Sequence, residues 1–103
     1  MDRITQIQKF LEESPDDCFL KHALALEYIK VNDYEKARQF LEENLHHHPE
    51  YIATYYHLGQ LLEKMDLPEN ALAVYEAGMK QAREAGDQHT LSELRSVYEM
   101  LLY

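Results

Sequence analysis

Apolar residues recur at helical spacing along almost the whole chain. Ile4, Ile7, Phe10 and Leu11 form one stripe that Pro15 interrupts. Leu20, Leu24, Tyr28 and Val31 form the next, which predicts a helix over about 17–31 with Asn32-Asp33 as the loop after it. Further helices are predicted over about 34–45, 51–64 and 68–84. Pro68 suits a first helical turn, where its missing N–H costs nothing, and Gly86-Asp87 stops the long helix. Leu91, Leu94, Val97, Tyr98 and Leu101 place a last amphipathic helix over 90–102, opened by a capping box from Thr90 to Glu93. The expectation is all-α, with about six helices.

The pattern also repeats. Pro15 returns as Pro49, Leu24 as Leu58, Ala37 as Ala71, Leu11 as Leu45 and Leu41 as Tyr75, each 34 residues on. A fixed period of this length implies stacked two-helix units. Ala25 and Gly59 occupy equivalent places where two helices cross closely. Ala37 and Ala71 are expected in tight crossings with no room for a longer side chain. The segment 1–15 aligns with the second helix of a unit, so it reads as a half repeat covering the flank of the first full one.

The first unit, with Leu24-Ala25, Tyr28, Asp33-Tyr34-Glu35-Lys36-Ala37, Leu41 and Pro49, resembles the tetratricopeptide repeat. The second matches with Tyr55, Leu58-Gly59, Leu62, Ala71 and Tyr75. The resemblance covers roughly 18–83. It departs at Lys21, where a large apolar residue is usual, and no proline closes the second repeat. It implies a right-handed α-α superhelix of antiparallel helix pairs in a single domain over 1–103: a half-repeat helix at 1–15, repeats at 18–49 and 52–85, and a closing helix at 89–102.

In the family it resembles, the first helices of successive repeats line a concave groove that accepts a peptide. Stepping 100° per residue from Leu24 puts Phe19, His22, Leu26 and Ile29 on the face away from the core. The positions that follow in the second unit are Ala53, Tyr56, Gln60 and Glu63, flanked by His57. These nine residues form the candidate groove floor. Tyr56 is the foremost anchor, because aromatic side chains carry disproportionate binding energy. The function expected from the resemblance is a protein-interaction module, an adaptor or scaffold holding a short peptide. The alternative is a homo-oligomerising structural subunit, a homodimer for instance, whose groove is filled by its own closing helix or by a second copy. Its interface would be Phe19, Leu26 and Ile29 with the tail Tyr98, Met100, Leu101 and Tyr103. One version of the family clamps acidic carboxyl termini with lysine, asparagine and arginine. None of these stands at the nine positions, and Glu63 would repel a carboxylate.

Composition narrows the rest. The net charge of −9 argues against nucleic acid, which needs clustered Lys and Arg, and leans toward a basic partner. No stretch reaches the ~20 apolar residues of a membrane span, and the start at Met1-Asp2-Arg3 lacks a secretory apolar core. A cytoplasmic location follows as the default, and the start at Met1 favours a chain complete at that end. The single cysteine, Cys18, excludes an internal disulfide and reads as a packing residue at a helix start. His46-His47-His48 project about 100° apart on a helix and cannot converge on one ion, so no metal site is expected. Ser14, Ser92 and Ser96 lack a glycine elbow and the three glycines form no phosphate loop, so neither enzyme activity nor a cofactor is expected.

Overall fold

The computed structural model describes residues 2–103; the reading of Met1 as the true start lies outside them. Among the described residues there are six helices and no strand: α1 (Arg3–Glu13), α2 (Cys18–Lys30), α3 (Tyr34–His47), α4 (Ala53–Lys64), α5 (Pro68–Ala85) and α6 (Gln88–Leu102). They pack as two compact units, Met1–His48 and Pro49–Tyr103. Among the described residues no helix is long and apolar enough to cross a membrane.

Each helix starts and stops for a local reason. Asp2, Asp17, Asp33 and Asp87 cap α1, α2, α3 and α6, each accepting a backbone N–H three residues on at 2.8–3.3 Å. α5 has no side-chain cap and begins instead with Pro68. At the other ends, Asn32 (φ 63°), Asp66 (φ 61°) and Gly86 (φ 71°) adopt the left-handed conformation. The next N–H in each case reaches five residues back, from Asp33 to the Tyr28 carbonyl, Leu67 to Leu62 and Asp87 to Ala82, all at 2.9 Å. These are Schellman closures, and they use up carbonyls the helix would otherwise leave unpaired. Asn32 and Asp66 stand one repeat apart, so the turn between the helices of a pair is part of the 34-residue period. One expectation is corrected here: α6 is capped by Asp87, which also accepts the Thr90 hydroxyl at 2.7 Å, and not by a Thr90–Glu93 box.

In the first unit α2 packs against both α1 and α3. Its core is Ile7, Leu24, Ala25, Tyr28, Ala37 and Leu41. Tyr28 stacks on Phe40 with centroids 5.9 Å apart, and its hydroxyl accepts from Gln8 at 3.1 Å. Buried Asn44 donates to the Cys18 carbonyl at 2.8 Å, pinning the last turn of α3 to the first of α2. Val31, expected on the core side, is 61% exposed, because the Schellman turn has already carried the chain off the helix face.

In the second unit α5 packs between α4 and α6. The core is Tyr55, Leu58, Leu61, Leu62, Ala71, Tyr75, Met79, Ala82, Leu91 and Leu94. Ile7, Leu41 and Tyr75, spaced by 34, are all at most 2% exposed: three successive core positions of the repeat. Ala37 and Ala71 are wholly buried. Ala71→Leu is therefore expected to lower stability by about 1–3 kcal/mol through overpacking, read as a lower urea midpoint at unchanged slope. An unshifted midpoint would contradict the crossing.

Candidate functional site

The helix period places the candidate residues of α4 on one stripe, and the second unit divides them. Ala53, Tyr56 and His57 line a cleft of about 580 Å³ whose other lining residues are Glu50, Tyr51 and Ile52 before α4, Asp87 capping α6, and Thr90 and Glu93 within α6. A shallower extension joins Tyr56 to His89, Ser92, Glu93, Ser96 and Val97 along α6. The closing helix, which the alternative reading put in the groove, thus forms a wall beside α4 in this unit. Packing α6 on α5 commits Leu91 and Leu94 to the core and turns Thr90 and Glu93 toward Tyr56.

Gln60 and Glu63, further along the stripe, meet the Tyr75 hydroxyl, which accepts from Gln60 at 2.6 Å and donates to Glu63 at 2.5 Å. Burial, with the Glu63 hydrogen bond second, pushes the Tyr75 phenol far above its usual range, so it stays protonated and keeps donating. Both side chains are therefore held by the fold, where the sequence placed them as groove floor.

Tyr56 and His57 meet edge to face, ring centroids 5.6 Å apart. Burial lowers the His57 pKa below 6.5, so the ring is neutral at neutral pH. The cleft's charge comes from Glu50, Asp87 and Glu93, and no Lys or Arg lines it. Hydrogen bonds from the Thr90 backbone and hydroxyl hold the Asp87 carboxyl below its usual range, so that charge is permanent near neutrality. A His57 pKa lower in the folded than in the unfolded chain means that the unfolded chain binds more protons as pH falls past about 6.5. Stability present above that pH is expected to decline toward the folded pKa and then level off. Denaturation at pH 7.5 and 5.5 for the native chain and His57→Gln checks this: the variant should lose part of the difference.

In the first unit Phe19 is 62% exposed, and Leu26 and Ile29 are half-buried on α2. His22 is only 7% exposed. The angular reading put it on the open face with these residues; the structure buries it, so it is no open groove wall. The sequence missed the α6 residues Thr90, Glu93, Ser92 and Val97. The signal available was the polar face of 88–102, which a helix plugging the groove, as in the alternative reading, would not carry.

His46 and His47 lie exposed in the last turn of α3, and His48 caps it with Nε2 3.2 Å from the Asp16 carbonyl oxygen. Among the described residues no three His, Cys, Asp or Glu side chains converge as metal ligands.

The family profile for the tetratricopeptide repeat matches residues 28–93. A tetratricopeptide repeat domain protein from Salinibacter ruber, solved by NMR, is 39% identical over 84% of this chain and 88% of its own, with a TM-score of 0.82. A Bordetella parapertussis protein is 22% identical over 99% of this chain and 89% of its own, with a TM-score of 0.85. The TPR2B domain of yeast Sti1, in complex with an Hsp70 peptide, shares the fold at a TM-score of 0.88, 13% identical over 95% of this chain and 78% of its own. No curated protein sequence matches. The family is a non-catalytic repeat fold whose domains generally bind proteins or peptides. The 34-residue period, the paired helices and the sequence match together show that this chain belongs to the tetratricopeptide repeat family.

Proposed function

We propose that the protein is an adaptor that binds a short peptide segment of another protein through the cleft between α4 and α6. The observation that carries this is the open cleft itself, with Tyr56 presented half-buried between the two helices. A ring already packed on one side loses little freedom on binding, and aromatic anchors at the centre of an interface contribute most of its energy. Ala53 and His57 complete the floor, while Gln60 and Glu63 lie outside its lining and hold the Tyr75 hydroxyl. Phe19, Leu26 and Ile29 give α2 a contact surface of its own. The peptide complex of the yeast domain is a precedent in fold for such binding, though its ligand is not carried over.

Selection from a random-peptide display library on the native protein, counter-selected on Tyr56→Ala, tests the reading. Enriched peptides that bind the native chain and lose at least about tenfold with the variant are expected, as for an anchor residue. Absence of any Tyr56-dependent binder would refute it.

A second reading is self-association, supported by the exposure of Phe19 at 62%, Met100 at 78% and Tyr103 at 95%. Light scattering over a micromolar series decides between the two. A mass of 12.2 kDa throughout supports the adaptor. A dimer abolished by Leu26→Asp or Tyr56→Ala would make the second copy the partner.

A further inference from the structure

We infer that the α4–α6 cleft selects a cationic peptide, receiving an arginine or lysine side chain of the partner beside Tyr56. This rests on the peptide-binding reading above and specifies its ligand.

Three features of the cleft support it. Its carboxylates, Glu50, Asp87 and Glu93, come from three different places in the chain: the segment before α4, the cap of α6 and the first turns of α6. They surround one concavity, and Glu50 and Glu93 are both exposed side chains. No lysine or arginine lines the cleft. Burial disfavours the charged form of His57, which lines the cleft beside Tyr56. His89, further along the same stretch of α6, has its Nε2 3.5 Å from Glu93 and carries charge only when protonated.

The remaining lining is mostly aromatic and apolar, with Tyr51, Ile52, Ala53 and Tyr56 beside His57 and Thr90. A phenol ring beside carboxylates suits a guanidinium or ammonium on an apolar stem. The stem lies on the ring and the charge is attracted both by the ring face and by the carboxylates. Arginine gains further from bidentate pairing with a carboxylate. The wider field agrees: residues 49–103 hold nine carboxylates against four Lys and Arg, a net charge of −5 with histidine neutral. Such a field speeds the approach of a basic segment and opposes an acidic one. An acidic peptide terminus is the ligand this lining excludes most strongly.

The test sequences the Tyr56-dependent binders from the display selection and synthesises the strongest with a fluorescent label. Expected are peptides carrying arginine or lysine next to an apolar residue. Replacing that cation by glutamine should weaken binding about tenfold, and Glu93→Lys and Glu50→Lys on the protein should each weaken it about fivefold. Raising NaCl from about 50 to about 300 mM should weaken it about threefold, since exposed ion pairs are screened. Tyr56-dependent binders that lack a cation, or that are indifferent to both charge reversals, would overturn the cationic preference and leave peptide binding standing. A selection that yields no Tyr56-dependent binder would overturn both.

Discussion

Gly78→Ala is expected to lower stability by about 3 kcal/mol, the upper end of ordinary overpacking, although alanine is the better helix former by about 1 kcal/mol. A Cβ built at Gly78 stands 2.6 Å from the Cβ and 2.9 Å from the Cγ of Tyr55, and 3.1 Å from a Leu94 methyl. The closest atom is the tyrosine Cβ, which no change of rotamer can move aside. Tyr55 is itself fixed, 2% exposed, with its hydroxyl donating to the Pro49 carbonyl at 2.7 Å. Relief requires α5 to back away from α4, which opens gaps along the whole contact. Set against the ~5–15 kcal/mol that holds a small domain together, the loss is large. Urea denaturation followed by circular dichroism measures it; a variant as stable as the native chain would mean that α4 and α5 do not approach at this position.

The second large effect is expected at Gly59, and it has a built-in control. A Cβ there would run into the Tyr75 ring, within 2.6 Å of Cδ1 and Cζ. Tyr75 has no exposed surface into which it could retreat, and its hydroxyl is bound at both Gln60 and Glu63. Gly59→Ala alone is expected to cost about 2 kcal/mol by overpacking. Tyr75→Leu alone should also destabilise, by leaving a cavity where the ring was. One repeat earlier the equivalent pair is Ala25 with Leu41, both fully buried. The double variant Gly59→Ala with Tyr75→Leu recreates that pairing. It should therefore be more stable than the sum of the two single losses predicts, by about 1–2 kcal/mol of coupling. Additive losses would show that the two positions do not share one space.

This pair also shows how far the chain could be read before its structure was known. The exchange of Ala25 and Leu41 for Gly59 and Tyr75 is visible in the sequence as a small residue becoming smaller while a large one becomes larger. The 34-residue spacing makes the two pairs comparable, and the fold follows from it. The helix ends were legible too, because Asp17, Asp33, Pro68 and Gly86 act through their own backbone neighbours. Thr90 misled for an instructive reason: a threonine three residues before a glutamate satisfies the capping pattern, but Asp87 offers a carboxylate to the same helix end one turn earlier. Two local solutions competed, and the charged acceptor took the N-terminus.

The candidate site was legible only in part. Angular projection along one helix gives a direction, and it placed Ala53, Tyr56 and His57 on a face that does line a cleft. The same projection put His22 in the open, where the structure leaves it 7% exposed. Direction does not determine exposure, because exposure depends on what a neighbouring element covers.

What the sequence by itself determined is therefore everything carried by short-range physics: the helical periods, their caps and stops, the repeat that fixes the family, and the small residues required at helix crossings. Only the tertiary structure decided which face of α6 turns to Tyr56, that Gln60 and Glu63 hold the Tyr75 hydroxyl, and that Glu50 shares one cleft with Asp87 and Glu93, with no Lys or Arg in its lining. Those facts arise from how α5 holds α4 and α6 on either side of it. Packing of that kind joins residues tens of positions apart, and no period within a single helix encodes it.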